Sequence, residues 1–187
     1  MRQAVVGTFI ILVLLVSVLC AASFAQESKQ EQHLPDRLKG LQLSAELVGG
    51  EKSFHKSDTF WIKVKLKNVG KSPITLYKNM GWGWSSSFVL GISDAQGKEI
   101  ISSFLDDTLT YPRFPRGDFI TIKPDETVER KRDVSLKEYE IKKYGTYYVI
   151  VWYQSPIPQK FAPKGLKVWA TEEGRLESKP VKFEIVK

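Results

Sequence analysis

The sequence predicts an all-β domain, an antiparallel sandwich of short strands, and three observations lead there. Residues 59–70 read Thr-Phe-Trp-Ile-Lys-Val-Lys-Leu-Lys-Asn-Val-Gly. Phe60, Ile62, Val64 and Leu66 fall on one side of an extended chain and Trp61, Lys63, Lys65 and Lys67 on the other, the period of two of a strand with one face in a core. A helix would scatter these lysines around its circumference. Similar short alternating runs recur at spacings of ~8–12 residues between Gly, Pro, Asn and Asp turns, as in antiparallel sandwiches. No βαβ spacing and no internal repeat is evident, which argues against doubly wound and propeller folds.

Each element follows from its own residues. Residues 38–48 alternate through Leu41, Leu43, Ala45 and Leu47 and predict a first strand, ended by Gly49-Gly50. After the 59–67 strand, Asn68-Val69-Gly70-Lys71-Ser72-Pro73 is a tight reversal, because Asn and Gly tolerate positive φ and Pro73 cannot donate to a ladder. Residues 74–77 form a short strand. Residues 79–86 break the pattern, two tryptophans standing among glycines. Residues 87–93 alternate through Phe88, Leu90 and Ile92, turn at 94–98, and return over 99–104 as a hairpin. Residues 105–116, with Pro112 and Pro115, make an extended loop.

Residues 119–122 form a strand. Lys123-Pro124-Asp125-Glu126 has the composition of a type I turn with Pro124 at its second position. Residues 127–134 form another strand, and 135–139 one helical turn. Residues 146–153 (Thr-Tyr-Tyr-Val-Ile-Val-Trp-Tyr) are apolar or aromatic on both faces. Such a strand is either covered on both sides or offers its outer face for binding. A Pro-rich loop over 155–165, a short strand at 167–170, a turn at 172–175 and an alternating strand over 180–186 complete the chain.

The N-terminus carries a different message. Met1-Arg2, an apolar run over 4–19 and the end Ser23-Phe24-Ala25 have the form of a secretory signal peptide, with cleavage after Ala25. The run approaches the length that spans a bilayer, but the small-residue site followed by polar Gln26-Glu27-Ser28-Lys29 selects removal, so no stable membrane span is expected after processing. Leu19 is large where a lipidated cysteine would follow a small residue, so Cys20 reads as a small apolar member of the signal. The expected organisation is a signal peptide over 1–25, a polar tether over 26–37 and one domain over 38–187, in a secreted or periplasmic protein.

Cys20 is the only cysteine among the 187 residues, so the mature domain has neither a disulfide nor a thiolate metal site. It must be held by its core, and 42% apolar composition suffices for one domain. The formal net charge is +7, of which Arg2 supplies one. Lysines alternating with apolar residues read as ordinary solubility charge with some bias toward acidic surfaces. Nucleic acid is not an expected partner, since no reading motif is present.

Signals for chemistry are weak. The two histidines are His33, in the tether, and His55, which gives no metal-binding spacing. Asp106-Asp107 lacks the interleaved ligands of a calcium loop. No Gly-x-Ser-x-Gly elbow occurs, and nothing brings Asp107 and Glu172 together as a carboxylate pair. Arg116-Gly117-Asp118 is a tripeptide read by adhesion receptors, but also ordinary turn chemistry. The expectation is therefore a protein that is not an enzyme and uses no cofactor and no metal. The aromatic residues are the best lead: Trp82, Trp84 and Tyr77 in or beside the Gly-rich loop, and Tyr111, Arg113 and Phe114 in the extended loop over 105–116, form the candidate ligand-binding set. Flat rings stack on sugars or fill a partner's pocket at low entropy cost. Alternatively, Trp82 and Trp84 cap one end of the core.

Three segments carry a resemblance. The strand ending in Asn68-Val69-Gly70 resembles the Asn-containing strand of Ig-like modules, and residues 88–97 resemble their central hairpin. Ile122-Lys123-Pro124-Asp125-Glu126-Thr127, then Tyr139, then Tyr144-Gly145-Thr146-Tyr147, is similar to the run in the β-sandwich preceding the catalytic part of deuterolysin-type metalloproteases. Bacterial intracellular proteinase inhibitors show a comparable hairpin and ending. The resemblance spans 38–187 and implies an Ig-like antiparallel β-sandwich of about seven to nine strands, with Tyr147 as a corner tyrosine bonded to upstream backbone. Asp125 stands where a glycine is usual. No His-Glu-x-x-His occurs, so protease activity does not carry over. The function expected is an exported, non-catalytic binding or accessory module with a protein or polysaccharide partner outside the cytoplasm. A proteinase inhibitor and a carbohydrate-binding module using the loop tryptophans are the alternatives, and the oligomeric state is left open.

Overall fold

The computed structural model describes residues 34–83, 86–100 and 114–187. The expected signal peptide and most of the tether, Trp84, Tyr111, Arg113, Asp106-Asp107 and the far part of the 99–104 strand lie outside these residues. In chain order the strands are β1 (Arg37–Leu38), β2 (Leu41–Leu47), β3 (Ser53–Phe54), β4 (Thr59–Asn68), β5 (Ile74–Tyr77), β6 (Phe88–Asp94), β7 (Glu99–Ile100), β8 (Phe119–Ile122), β9 (Thr127–Ser135), β10 (Gly145–Gln154), β11 (Arg175–Glu177) and β12 (Val181–Ile185). Short 3-10 turns are the only helical elements among the described residues, and no described helix is long and apolar enough to cross a membrane.

The strands form an Ig-like β-sandwich. One sheet has the order β1-β2-β4-β9; the other has the order β3-β12-β10-β6-β7, with β11 also paired to β10; β5 and β8 make a two-stranded flank. The chain runs β2, then β4 in the first sheet, crosses to β6 in the second, returns to β9 beside β4, and crosses again to β10 and β12, the Greek-key path of Ig domains. β3 pairs with β12 in parallel while β2 stays antiparallel to β4. The first strand region thus switches sheets at the turn over 48–52 and protects an edge of each.

The alternation in β4 sets the core. Phe60, Ile62, Val64 and Leu66 are buried. They join Leu41 and Leu43 of β2 in one cluster with Phe88 and Ile92 of β6, Tyr147, Val149, Val151 and Tyr153 of β10, and Phe183 and Ile185 of β12. One end of this core is aromatic: Phe60 lies 5.1 Å from Phe54 and 5.4 Å from Phe183, and Tyr147 lies 5.8 Å from Phe183, between ring centroids. The Tyr147 hydroxyl donates to the Lys143 carbonyl at 2.9 Å, four residues upstream. This is the corner expected from the sequence.

Asn68, at the end of β4, is fully buried and every polar atom it carries is used. Its Nδ2 donates to the carbonyls of Ser72 (2.8 Å) and Ile122 (3.0 Å), its Oδ1 accepts from the Gly70 N–H (2.9 Å), its backbone N–H donates to Glu126 and its carbonyl accepts from Asp125. One side chain therefore fastens the reversal after β4 to the turn between β8 and β9.

Four local expectations are corrected. Residues 38–48 do not form one strand, because Lys39 (φ 46°) and Gly40 (φ 86°) make a two-residue turn between β1 and β2; paired positive φ is the signature of a type I′ hairpin. The 123–126 turn is not type I: Asp125 has φ 64°, and positive φ at the third position defines the type II geometry that favours glycine. That explains why a glycine is usual there. Residues 167–170 form no strand, although the Trp169 N–H donates to the Thr75 carbonyl at 2.7 Å. The last tether residues are docked: Leu43 N–H donates to Asp36 and Glu177 N–H to Pro35. β3 and β11 were too short to show a period.

Replacing Asn68 by alanine leaves a buried carbonyl of Ile122 and the Gly70 N–H without partners, so Asn68→Ala is expected to cost about 3 kcal/mol or more in urea unfolding; a loss below about 1 kcal/mol would contradict the knot described above. Asp125→Gly relieves a left-handed residue and is expected to stabilise by roughly 0.5–1 kcal/mol, even though it removes the exposed ion pair of Asp125 with Lys67. A lower melting temperature for this variant would show that the backbone is unstrained there.

Candidate functional site

The aromatic residues singled out in the sequence separate into two places. Trp82 forms a bridge to Phe88 and is half-buried against the core. Its ring lies 5.0 Å from Phe88, which in turn lies 5.3 Å from Tyr153, and the Arg132 guanidinium sits over the Trp82 ring, 5.7 Å from its centroid. Trp82 thus covers the core beside β6. Tyr77 is half-buried and meets Phe114 edge-on at 5.5 Å and Phe119 at 6.0 Å. Phe114 is only 7% exposed, so its ring packs under the β5–β8 flank. The described members of the candidate set therefore make intramolecular contacts, and Trp82 and Phe114 are not brought into one cluster. Arg116-Gly117-Asp118 forms a 3-10 turn, with Arg116 donating to the Lys164 carbonyl at 2.8 Å.

The outer face of β10 is a more ordered surface. Tyr147, Val149, Val151 and Tyr153 point into the core, and Tyr148, Ile150 and Trp152 are half-buried on the opposite side. Trp152 is fixed. Its Nε1–H donates to Glu177 at 2.8 Å, the Arg175 guanidinium stacks 5.1 Å from its ring, and the ring lies across Gly91 of β6. A Cβ at Gly91 would come within 2.7 Å of the indole, so the glycine is what lets the indole lie flat. Burial lowers the Arg175 guanidinium somewhat from its usual value, against the opposing pull of Glu177. Charged Glu99, Glu177, Lys182 and Glu184 lie on the strands flanking this patch. At the rim, hydrogen bonds from Thr146 and Lys182 hold the Glu184 carboxylate below its ordinary range.

A groove of about 550 Å³ opens on the other side of the molecule's first turns, lined by Lys39, Gly40, residues 70–75, Lys167, Val168, Trp169 and Glu173. A cleft of about 260 Å³ with mixed charge lies between the β6–β7 hairpin and the Tyr147 corner. Among the described residues, no group of three His, Cys, Asp or Glu side chains could hold a metal ion. The lysines of β4 do not form a free basic stripe: Lys63 and Lys65 pair with Glu46, and Lys67 with Asp125. Hydrogen bonding to those lysines lowers the Glu46 carboxylate.

No protein-family model matches the chain, and no curated protein matches its sequence. Among solved structures, the chain is similar to part of a β-glucosidase from Erythrobacter marinus (11% identity, TM-score 0.37, 78% of this chain and 15% of that one). It is also similar to part of an alkylpurine DNA glycosylase from Pseudomonas fluorescens bound to DNA with an abasic site analog (9%, 0.35, 78% and 30%). A CARDB domain from Pyrococcus furiosus in complex with di-metal ions aligns at 10% identity and TM-score 0.32, over 86% of this chain and 97% of that one. The chain spans less than a third of the length of the first two. Likenesses this loose carry no argument about activity.

The sequence did not point to Gly91, Arg175 or Glu177. Their signal exists only in the register, which sets Gly91 opposite Ile150 and Glu177 opposite Trp152. Nor did it show that Tyr153 is enclosed with no partner for its hydroxyl among the described residues. Burial pushes that phenol well above its ordinary value. The neutral form is the one the fold accepts, so stability is complete below about pH 10 and is lost above it, where the unfolded chain ionises and the fold resists. Tyr153→Phe is expected to raise stability by about 1 kcal/mol and to move the midpoint of alkaline unfolding upward. An unchanged alkaline midpoint would show that another group governs it.

Proposed function

We propose that this chain is an exported, non-catalytic module that recognises a partner protein. The observation that carries the reading is the outer face of β10. Tyr148, Ile150 and Trp152 form a half-buried apolar centre, rimmed by Arg175, Glu177, Lys182 and Glu184. An apolar centre enriched in Trp and Tyr with Arg beside it, inside a charged rim, is the anatomy of protein-binding surfaces. Trp152 is held before any partner arrives, by Glu177 and Arg175 over Gly91. Little side-chain entropy is then lost on binding. Export rests on the signal-like pattern of residues 1–25, and the likeness to the sandwich preceding deuterolysin-type catalytic domains fits an accessory role.

A second reading rests on the same indole. A Trp ring laid flat on a sheet is also a platform for a sugar ring, which suits a carbohydrate-binding module. Two variants separate the possibilities. Ile150→Glu places a charge at the centre of the face and Trp152→Ala removes the platform. With protein recognition, crosslinking in the exported fraction yields a discrete partner band that both variants abolish, while the melting temperature of Ile150→Glu stays within a few degrees. With sugar recognition, affinity electrophoresis on a polysaccharide panel is retarded, and Trp152→Ala removes the retardation. A partner band that survives both substitutions would overturn the assignment of this face.

A further inference from the structure

The groove beside β5 is built by a contact between two turns. Gly40, in the β1–β2 turn, and Gly70, in the reversal after β4, approach so closely that a Cβ on either would lie 3.2 Å from the other's Cα. The Val69 N–H donates to the Gly40 carbonyl at 2.7 Å. Their neighbours in sequence, Lys39 and Lys71, are thereby brought to one rim. Lys167 stands on the segment that runs beside β5, fixed by the bond from Trp169 N–H to Thr75.

The charges at this rim differ from those of β4. Lys39 is paired with Glu173 at 2.8 Å, but Lys71 and Lys167 have no ion pair among the described residues. Two cations therefore face a cleft whose remaining lining includes Pro73, Ile74, Val168 and Trp169. Trp169 is 4% exposed, and its indole Nε1–H is buried without an acceptor among the described residues. An unmet donor of this kind is destabilising and unusual in a settled core.

We propose that this groove binds an acidic peptide segment, seating apolar side chains on Ile74, Val168 and Trp169 and carboxylates against Lys71 and Lys167. The cleft has the volume of ligand sites, ~300–1,000 Å³. Charge complementarity selects an anion, and the apolar lining selects one that also carries hydrocarbon. A free inorganic anion would leave that lining bare. The inference builds on the reading of the chain as a protein-recognising module, but places the contact at a second surface, so each can fail alone.

The test uses 15N-labelled protein and two capped hexapeptides, one alternating leucine with glutamate and the other alternating leucine with glutamine. The acidic peptide is expected to shift the Trp169 indole resonance and the amides of Gly70, Lys71 and Lys167, and the glutamine peptide is not. Lys71→Glu combined with Lys167→Glu is expected to weaken the response at least tenfold, and 0.5 M salt to weaken it as well. Both lysines are exposed, so the doubly substituted protein keeps its fold, checked by its melting temperature. Ile150→Glu is expected to leave this titration unchanged, which separates the groove from the β10 face. Equal response to both peptides, shifts confined to other residues, or the same shifts from inorganic phosphate alone would each overturn the proposal.

Discussion

The sandwich depends on what happens at the end of β4. Alternation along that strand supplies four inward side chains, but it also delivers a polar residue, Asn68, to a fully buried position. A buried amide is tolerable only when all its hydrogen-bonding groups are used. Here they are, and their partners belong to two separate turns. The amide thereby fixes where β4 stops, how the chain reverses toward β5, and how the β8–β9 turn lies against that reversal. With no disulfide available after Cys20, this polar knot does the local fastening that a disulfide performs in many small exported domains.

The fold was legible because its code is short range. Period-two alternation in β4 and β12 survives as written, in β6 it holds for Phe88 and Ile92 while Leu90 is only half-buried, and each strand formed where its alternation predicted. The corner role of Tyr147 was readable because resemblance located it and the upstream carbonyl lies four residues away. What the sequence hid falls into two kinds. β1, β3 and β11 have two or three residues each, too few to carry a period, and exist because a neighbouring strand offers an edge. The Lys167–Trp169 segment failed in the opposite sense: its residues suit a strand, but only one backbone bond to β5 is available, and no ladder forms.

The candidate site was less legible, for a physical reason. Aromatic residues in a Gly-rich loop attract attention as ligands' partners, yet a large ring near a sandwich edge gains more by covering the core. Trp82 does so against Phe88, with Arg132 over it. Arg130 and Arg132 belong to the same solution. They alternate in phase with Val128 and Val134 on β9 and so face the interior side at the sheet's edge. Arg130 reaches across to the Lys78 carbonyl, closing with a long, amphipathic side chain a gap that an apolar residue would leave wet. Within the run Arg130-Lys131-Arg132, the two arginines therefore seal the sheet's edge while Lys131 points to solvent.

The two surfaces proposed for recognition follow from glycines, which composition alone cannot rank. Gly97 and Gly117 have open space around them; they serve turns. Gly91, Gly40 and Gly70 are different, because a methyl group at each would meet another part of the chain. At Gly91 the neighbour is the Trp152 ring, and the result is a flat indole on the outer face of the central strand. At Gly40 and Gly70 the neighbours are each other's backbone, and the result is a pair of lysines at one rim, of which only Lys39 finds a carboxylate. Exposed lysines are individually cheap to place, and along β4 each one is answered by an acid on the adjoining strand or turn. Lys71, brought to that rim without an acid beside it among the described residues, is the cation on which the proposed acidic-peptide site rests.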